Sequence, residues 1–342
     1  MATSLSTTLT VSVSASATKA ISFCSRNILR VKSGTDFVLD CWAVKIMLEF
    51  KVADAISELP RHREFEEQFA NKELIHTPDR TIEVFNITPE VLRDPVPVFI
   101  APGWSESDKV FKESLRVVYE AGRRVITLNH PRRVSQTRDV YYPEAELTKA
   151  ESLLAVLEEK ELEKVDVITH SEGSIYTTIA ACLRPSKFRS MVIVNPAGMM
   201  GQDNFLGLLS RNILMNLGNL ERMSTEPQTR QALTVYLQEG VLYFLKNPKR
   251  ALAEARDISG ADIHAWLKNL KALGMGISVI AGVDDPLFPM DSIQQATKAS
   301  EITGFYSVRG DHNEPHLQPD KYTTLAIRAL DSLNKAKQTH WR

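Results

Sequence analysis

Short β-branched and aliphatic runs alternate with helical stretches from residue 80 onward, and no other feature of the sequence constrains the fold as strongly. The runs are predicted strands at residues 80–87, 96–101, 124–128, 165–169, 191–195, 277–281 and 305–308. Several are apolar at nearly every position, which is typical of strands that are covered on both faces. The sequence therefore predicts an α/β fold with a mostly parallel sheet flanked by helices.

Helical patterns fill most intervals between these strands, at residues 108–121, 143–164, 172–184, 291–300 and 319–335. Residues 199–272 break the alternation because they contain helical patterns only. These patterns cover residues 205–220, 229–245, 248–256 and 261–273. We expect residues 199–272 to form a helical cap inserted between two parts of the core, residues 47–198 and 273–342.

The apolar residues of the predicted cap suit an adaptable pocket, or equally the cap's own core. They include Met199, Met200, Phe205, Leu206, Leu208, Leu209, Ile213 and Met215.

The first 46 residues differ in composition from the rest of the chain. Residues 1–35 contain 14 Ser or Thr and no acidic residue, which is typical of an organelle transit peptide. A disordered tail, or a working start at Met47, would also explain them. We leave residues 1–46 out of the fold. We expect a soluble intracellular protein, in a plastid or another organelle if this segment is a transit peptide and in the cytoplasm otherwise.

Charge and cysteine content argue against a nucleic-acid-binding protein, a membrane-binding protein and a cysteine metal site. Forty-one basic residues against 42 acidic ones give a net charge of −1, so no basic excess attracts nucleic acid or an anionic membrane. The three cysteines lack the paired spacing of a metal site and suit a reducing compartment. No apolar run approaches the roughly 20 residues of a membrane-spanning helix.

Ser171 stands where a predicted strand runs directly into a predicted helix. Only a sharp turn joins the two elements there, and a sharp turn needs small neighbours such as Thr169 and Gly173. Such a turn raises the hydroxyl above the carboxyl end of the strand, at the start of a helix whose dipole favours negative charge.

Two later strands also end in polar loops. Asp284 and Asp285 follow the strand at 277–281, and His312 follows the strand at 305–308. A carboxylate at a strand end is placed to accept an imidazole N–H, although a solvated turn and a surface histidine would give the same pattern. His130, Arg132 and Arg133 follow the strand at 124–128 and suit either an anionic substrate group or a solvated basic loop.

The chain order of serine, acid and histidine, each after a strand, resembles that of the α/β-hydrolase superfamily. The resemblance covers roughly residues 75–335 apart from the cap. Its most specific pieces are the Gly282-x-x-Asp285 loop and the Gly310-x-His312 turn, and it aligns Asp285 rather than Asp284 with the family's acid. Thr169 stands where the family most often has glycine, and Pro102 stands where it commonly has histidine before Gly103.

The resemblance implies a serine hydrolase whose catalytic residues are Ser171, Asp285 and His312. Ser171 attacks a carbonyl, His312 takes its proton and Asp285 orients His312. The backbone N–H groups of Trp104 and Glu172 then bind the oxyanion, with Gly103, Thr169 and Gly173 shaping the turns. The expected reaction is hydrolysis of a small, partly apolar ester or thioester through an acyl-enzyme, with no metal or organic cofactor.

Two alternatives stay open at this point. The same residues also suit amide or carbon–carbon bond hydrolysis. The fold also serves as a receptor or scaffold without catalysis. The sequence leaves the natural substrate and the oligomeric state undetermined.

Overall fold

The computed structural model describes residues 60–131, 141–201, 203–302 and 304–339. The chain divides into two compact units, Met1–Arg63 and Glu64–Arg342, and the architecture below belongs to the second apart from residues 60–63. The predicted tail, residues 1–46, and the predicted anion-binding residues Arg132 and Arg133 lie outside the described residues.

The described residues form one eight-stranded sheet in the order β1-β2-β4-β3-β5-β6-β7-β8. The strands are Glu73–His76 (β1), Thr81–Ile87 (β2), Asp94–Ala101 (β3), Arg123–Asn129 (β4), Val165–His170 (β5), Phe188–Val194 (β6), Gly276–Gly282 (β7) and Gly304–Val308 (β8). β2 runs antiparallel to both β1 and β4, and every other pair is parallel. The predicted α/β class with a mostly parallel sheet is confirmed.

Eleven α-helices accompany the sheet in the described part of the chain. They are Pro60–Ala70 (α1), Asp108–Glu120 (α2), Glu144–Glu159 (α3), Gly173–Leu183 (α4), Phe205–Thr225 (α5), Arg230–Lys246 (α6), Pro248–Gly260 (α7), His264–Ala272 (α8), Met290–Ala299 (α9), Glu314–Leu317 (α10) and Pro319–Thr339 (α11). α5 to α8 occupy the interval between β6 and β7, where residues 203–272 contain no strand. That they act as a separate cap stays a prediction.

The core consists of two apolar layers, one on each face of the sheet. β3 shows the division clearly: Phe99 and Ala101 belong to one layer, while Val98 and Ile100 belong to the other. Successive side chains of a strand point to opposite faces, so a strand covered on both sides is apolar throughout. This explains why the sequence shows β3 to β7 as continuous apolar runs rather than as alternating ones.

Several elements differ from the sequence-based expectation, among them α1 and α10, which were not predicted. β1 was not predicted, because it is a four-residue edge strand in which only Ile75 is buried. The helix predicted over 143–164 ends at Glu159. Glu161 adopts φ 50°, and the Leu162 N–H bonds Leu157 O at 2.9 Å, which closes the helix with a Schellman motif. That motif usually contains glycine, so the early end of the helix could not be predicted.

Parallel strands bring their carboxyl ends to one edge of the sheet, and the loops after β3, β5, β7 and β8 meet there. These loops carry the residues that the sequence singled out. Among the residues that the structure describes, no helix combines the length and the apolar character that crossing a membrane requires.

Candidate active site

Ser171 occupies a strained turn between β5 and α4. Its φ is 51°, in the left-handed region that non-glycine residues rarely adopt. The turn is fixed from both sides, because the Ser171 N–H donates to Val194 O and Ser171 O accepts from the Ala197 N–H, both at 3.1 Å. Backbone strain held this firmly is typical of functional sites.

Gly173 is required where α4 begins. A Cβ built on Gly173 would lie 2.4 Å from Ala101 O and 2.9 Å from Pro102 O, so the helix packs directly on the backbone that leaves β3. Thr169, two residues before the serine, is fully buried in β5 opposite Ala101 and Ile193. A threonine side chain therefore fits where the family most often has glycine.

Asp285 and His312 form a buried pair at the ends of β7 and β8. The His312 Nδ1–H donates to Asp285 Oδ2 at 2.8 Å. Asp285 Oδ1 accepts the backbone N–H groups of Leu287 and Phe288 at 2.8 and 3.0 Å. Asp284, by contrast, is exposed. The structure thus brings Asp285 to the histidine, and in the neutral imidazole this pairing favours the tautomer with its proton on Nδ1.

His312 and Ser171 lie on neighbouring parts of the sheet edge. The ring of His170, the residue before the serine, lies 4.9 Å from the ring of His312. Phe288 has its ring 5.2 Å from that of His312 and lines the same cavity as Ser171. Among the described residues no hydrogen bond joins Ser171 Oγ to His312, a contact that in ligand-free enzymes is often long and tightens when substrate binds.

The loop after β3 comes very close to the serine. A Cβ on Gly103 would lie 3.0 Å from Ser171 Cβ and 2.7 Å from Glu106 Oε2, so this position tolerates no side chain. The Tyr176 hydroxyl donates to Pro102 O at 2.9 Å and holds the loop in place. The backbone N–H groups of Trp104 and Glu172 donate to no described residue, so both predicted oxyanion donors are free.

The carboxylate of Glu172 points away from the serine into a buried charged cluster. The Lys149 Nζ lies 2.6 Å from Glu172 Oε1 and 3.0 Å from Glu254 Oε1. Arg250 Nε donates to the same oxygen of Glu254 at 2.8 Å. Burial raises the pKa of Glu172 and that of its neighbour Glu146, and both carboxyls are fully buried. Sequence analysis did not identify Lys149, Glu254 or Arg250, because they follow no motif.

Ser171 opens into a small cavity that α5 and α7 share with the loops of the sheet edge. The other lining residues are apolar except for one asparagine: Trp104, Phe205, Leu208, Leu209, Asn212, Ala255, Ile258, Leu287 and Phe288. Three of the predicted pocket residues therefore line it. Met199 and Met215 are buried in the core instead, and Leu206 and Ile213 are 70% and 52% exposed.

His130 packs edge-on against Tyr176, with the ring centroids 4.7 Å apart. Burial and the charge of Lys149 lower the pKa of His130 well below its usual range. His130 is therefore a neutral side chain packed on Tyr176, and its part in an anion site stays a prediction.

Comparisons with known proteins agree on the fold. No protein-family model matches the sequence, and no curated protein is detectably similar to it. A carboxylesterase structure from the thaumarchaeon Nitrososphaera gargenis is 15% identical, covers 77% of this chain and 100% of its own, and has a TM-score of 0.58.

Two further solved structures give the same result. An esterase from Thermogutta terrifontis is 16% identical over 77% of this chain and 99% of its own, with a TM-score of 0.57. An enol-lactonase from Burkholderia xenovorans is 12% identical over 76% of this chain and 100% of its own, with a TM-score of 0.58. Together with the strand order and the turn at Ser171, these likenesses show that the chain has the α/β-hydrolase fold.

Proposed function

We propose that the protein is a serine hydrolase that cleaves small, partly apolar carboxylic esters or thioesters through an acyl-enzyme on Ser171. The observation that carries the proposal is the buried Asp285–His312 pair, set at the same sheet edge as a serine in a left-handed turn. The esterases and the lactonase of the same fold support hydrolysis of an ester bond.

The first half of the reaction follows from the hydrogen bonds of His312. Asp285 accepts a hydrogen bond from the Nδ1–H of His312, so the lone pair of Nε2 takes the proton from the Ser171 hydroxyl as Oγ attacks the substrate carbonyl. Asp285 also stabilises the imidazolium that forms. His312 then returns that proton to the leaving alcohol or thiol as the tetrahedral intermediate collapses to the acyl-enzyme.

The negative oxygen of the intermediate requires hydrogen-bond donors that are already in place. The free N–H groups of Trp104 and Glu172 flank Ser171 and have this role in the proposal, and such a donor typically contributes about 10²–10³ in rate. In the second half of the reaction His312 removes a proton from water, which attacks the acyl carbonyl and releases the acid.

The cavity supports an apolar acyl group. Apart from Ser171 and Asn212, its lining residues are aromatic or aliphatic. Esters and thioesters are favoured over charged substrates because a charged group would be desolvated there without a partner.

Labelling with a fluorophosphonate probe tests the proposal. We expect the parent protein and the Ser332→Ala control, which changes an exposed serine of α11, to be labelled and to hydrolyse short p-nitrophenyl esters. The Ser171→Ala variant should lose both properties while keeping its circular dichroism spectrum. A folded parent protein that neither reacts with the probe nor hydrolyses any acyl ester would refute the proposal.

A ligand-binding protein without catalysis is the second candidate. It is favoured by one observation, the absence of a Ser171–His312 hydrogen bond among the described residues. A receptor would bind an apolar ligand in the cavity with Ser171 unreactive, so the labelling experiment separates the two candidates. Amide and carbon–carbon substrates, which use the same geometry, are compared with esters once labelling is established.

A further inference from the structure

Glu106, His170 and His316 form a second buried network beside the triad. Each of these side chains is 3% exposed. Glu106 Oε1 lies 2.9 Å from His170 Nδ1 and 2.8 Å from His316 Nε2. Its other oxygen accepts the backbone N–H of Gly103. The Glu106 carboxylate therefore links the loop after β3, which carries Gly103, to His170 and to His316 of α10.

The second nitrogen of His170 reaches the triad. His170 Nε2 lies 3.0 Å from the backbone carbonyl of His312, and the side-chain amide of Asn195 donates to the same carbonyl at 3.2 Å. A carbonyl only accepts, so Nε2 carries a proton.

Glu106 determines whether the other nitrogen of His170, Nδ1, carries a proton. Its oxygens already accept the Gly103 N–H and face His316 Nε2, and such bonds stabilise the carboxylate form. A carboxylate also only accepts hydrogen bonds. Both nitrogens of His170 therefore face acceptors, an arrangement that only the doubly protonated imidazolium satisfies.

We propose that His170 is a positioning residue that acts as a buried imidazolium. It holds the His312 backbone on one side. On the other side it holds, through Glu106, the Gly103 turn in the loop after β3. The inference rests on the proposed hydrolase function, because it assigns His170 a task in that site. Activity then needs two histidines in opposite states, His312 neutral and His170 charged.

The charges around His170 agree with this assignment. Burial opposes the charge, but the carboxylate of Glu106 raises the pKa of His170 above its ordinary value. Burial lowers the pKa of His316, so that imidazole is neutral and donates from Nε2. The remaining groups near His170 are Asp285, which favours its charge, and the ring of His312. Tyr236 of α6 stacks on His316.

The raised pKa of His170 sets the direction in which activity depends on pH. A histidine whose pKa is raised in the folded protein keeps its proton through neutral pH and loses it as the pH rises. Activity is therefore expected to have an alkaline limb, where His170 is deprotonated.

Hydrogen bonding accounts for the network without an ion. One potential ligand atom from each of Glu106, His170 and His316 lies within 4.8 Å of the other two, as around a metal. However, the nitrogens of both histidines point at the same oxygen of Glu106. Elemental analysis of the purified protein checks this, and a stoichiometric transition metal that is lost in Glu106→Gln would overturn the proposal.

The direct test is ¹⁵N NMR of the histidine side chains in the unmodified protein at about pH 8, where an ordinary histidine is neutral. We expect one buried histidine with protons on both nitrogens, assigned to His170 by its contacts with Phe111 and His312. A His170 that carries a single proton at that pH refutes the proposal. This outcome does not depend on activity, so it is distinct from failure of the proposed function.

The functional test compares pH profiles of kcat/KM for the parent protein, Glu106→Gln, His170→Gln and the exposed control Glu301→Gln. Glutamine has a single carbonyl oxygen, so Glu106→Gln cannot accept all three N–H groups. We expect it to lower kcat/KM by about 10²-fold, as misplaced catalytic groups do, and to move the alkaline limb about 1–3 pH units downward. The control should retain the parent profile.

His170→Gln removes the titrating group, so its residual activity should show no alkaline limb from this source. If His170 and Glu106 only contributed packing, both variants would have a lower kcat/KM by the same factor at every pH, and the shape of the pH profile would not change. Unchanged alkaline limbs in folded Glu106→Gln and His170→Gln would therefore overturn the proposal, even if both variants are slow.

Discussion

Nδ1 of His312 lies 2.8 Å from Oδ2 of Asp285, and both side chains are buried. Oδ1 of Asp285 also accepts two backbone N–H groups, so the carboxylate has a fixed orientation before any substrate arrives. The pair sets the tautomer of His312, and with it the nitrogen that is available to Ser171.

Replacing Asp285 with asparagine should therefore damage the chemistry rather than the fold. The amide can offer a donor to Nδ1, which favours the tautomer with its proton on Nε2 and leaves no base for Ser171. We expect kcat to fall by about 10³–10⁴ with a small change in KM, measured by steady-state ester hydrolysis.

The adjacent Asp284→Asn variant is the matched control, because Asp284 is exposed. It should retain nearly the full kcat. A large loss in Asp284→Asn together with an active Asp285→Asn would show that the acid has been assigned to the wrong residue.

Gly173 should tolerate no side chain, for steric reasons alone. A Cβ there would meet Ala101 O at 2.4 Å, and that oxygen belongs to backbone that cannot move freely. We expect Gly173→Ala to lower the free energy of unfolding by about 1–3 kcal/mol, measured by urea denaturation.

Gly218 provides the comparison because it lies on an exposed part of α5 with nothing within 4 Å of a built Cβ. Gly218→Ala should raise the free energy of unfolding by about 0.5–1 kcal/mol. Equal effects of the two substitutions would contradict the close contact between α4 and β3.

Most of the sheet could be predicted because apolar runs report burial on both faces. β1 could not, since a single buried residue makes no pattern. Ser171, Asp285 and His312 could be singled out as candidates because each follows a strand. Glu106 could not, because its partners His170 and His316 lie 64 and 210 residues away along the chain. A polar side chain with a distant partner looks the same in sequence as a solvated one.

Lys149 is expected to be essential for stability. Its ammonium group faces two fully buried carboxylates, Glu172 and Glu254. Lys149→Met keeps most of the side chain's apolar volume but removes the cation beside Glu172, whereas Glu254 keeps its pair with Arg250. Breaking a buried pair in this way typically costs about 3–5 kcal/mol, measured as the free energy of unfolding near neutral pH.

The deficit of Lys149→Met should shrink as the pH falls. Burial already raises the pKa of Glu172 and Lys149 opposes that shift, so without the lysine the pKa of Glu172 lies further above its value in the unfolded chain. A carboxyl of that kind destabilises the fold increasingly as the pH rises, and it does so least when both states are protonated. Lys72→Met, in the exposed pair with Glu83, should cost about 0–1 kcal/mol. A pH-independent deficit in Lys149→Met would argue against buried carboxylates as its cause.

The wall of the cavity should determine which acyl chains are accepted. Ala255 of α7 is 5% exposed and lines the cavity together with Ser171, so a larger side chain there removes space that the acyl group needs. In Ala255→Leu the narrowed cavity should accept acyl chains only up to a shorter length than in the parent protein. For p-nitrophenyl esters whose acyl chains exceed that length by one or two methylenes, we expect kcat/KM to fall by about 10–200-fold. The acetate ester should be affected much less, because its acyl group stays beside Ser171. Leu252→Ala, on the same helix but 52% exposed, should keep the parent's chain-length preference. If Ala255→Leu lowers hydrolysis of every ester equally, the acyl group binds outside this cavity.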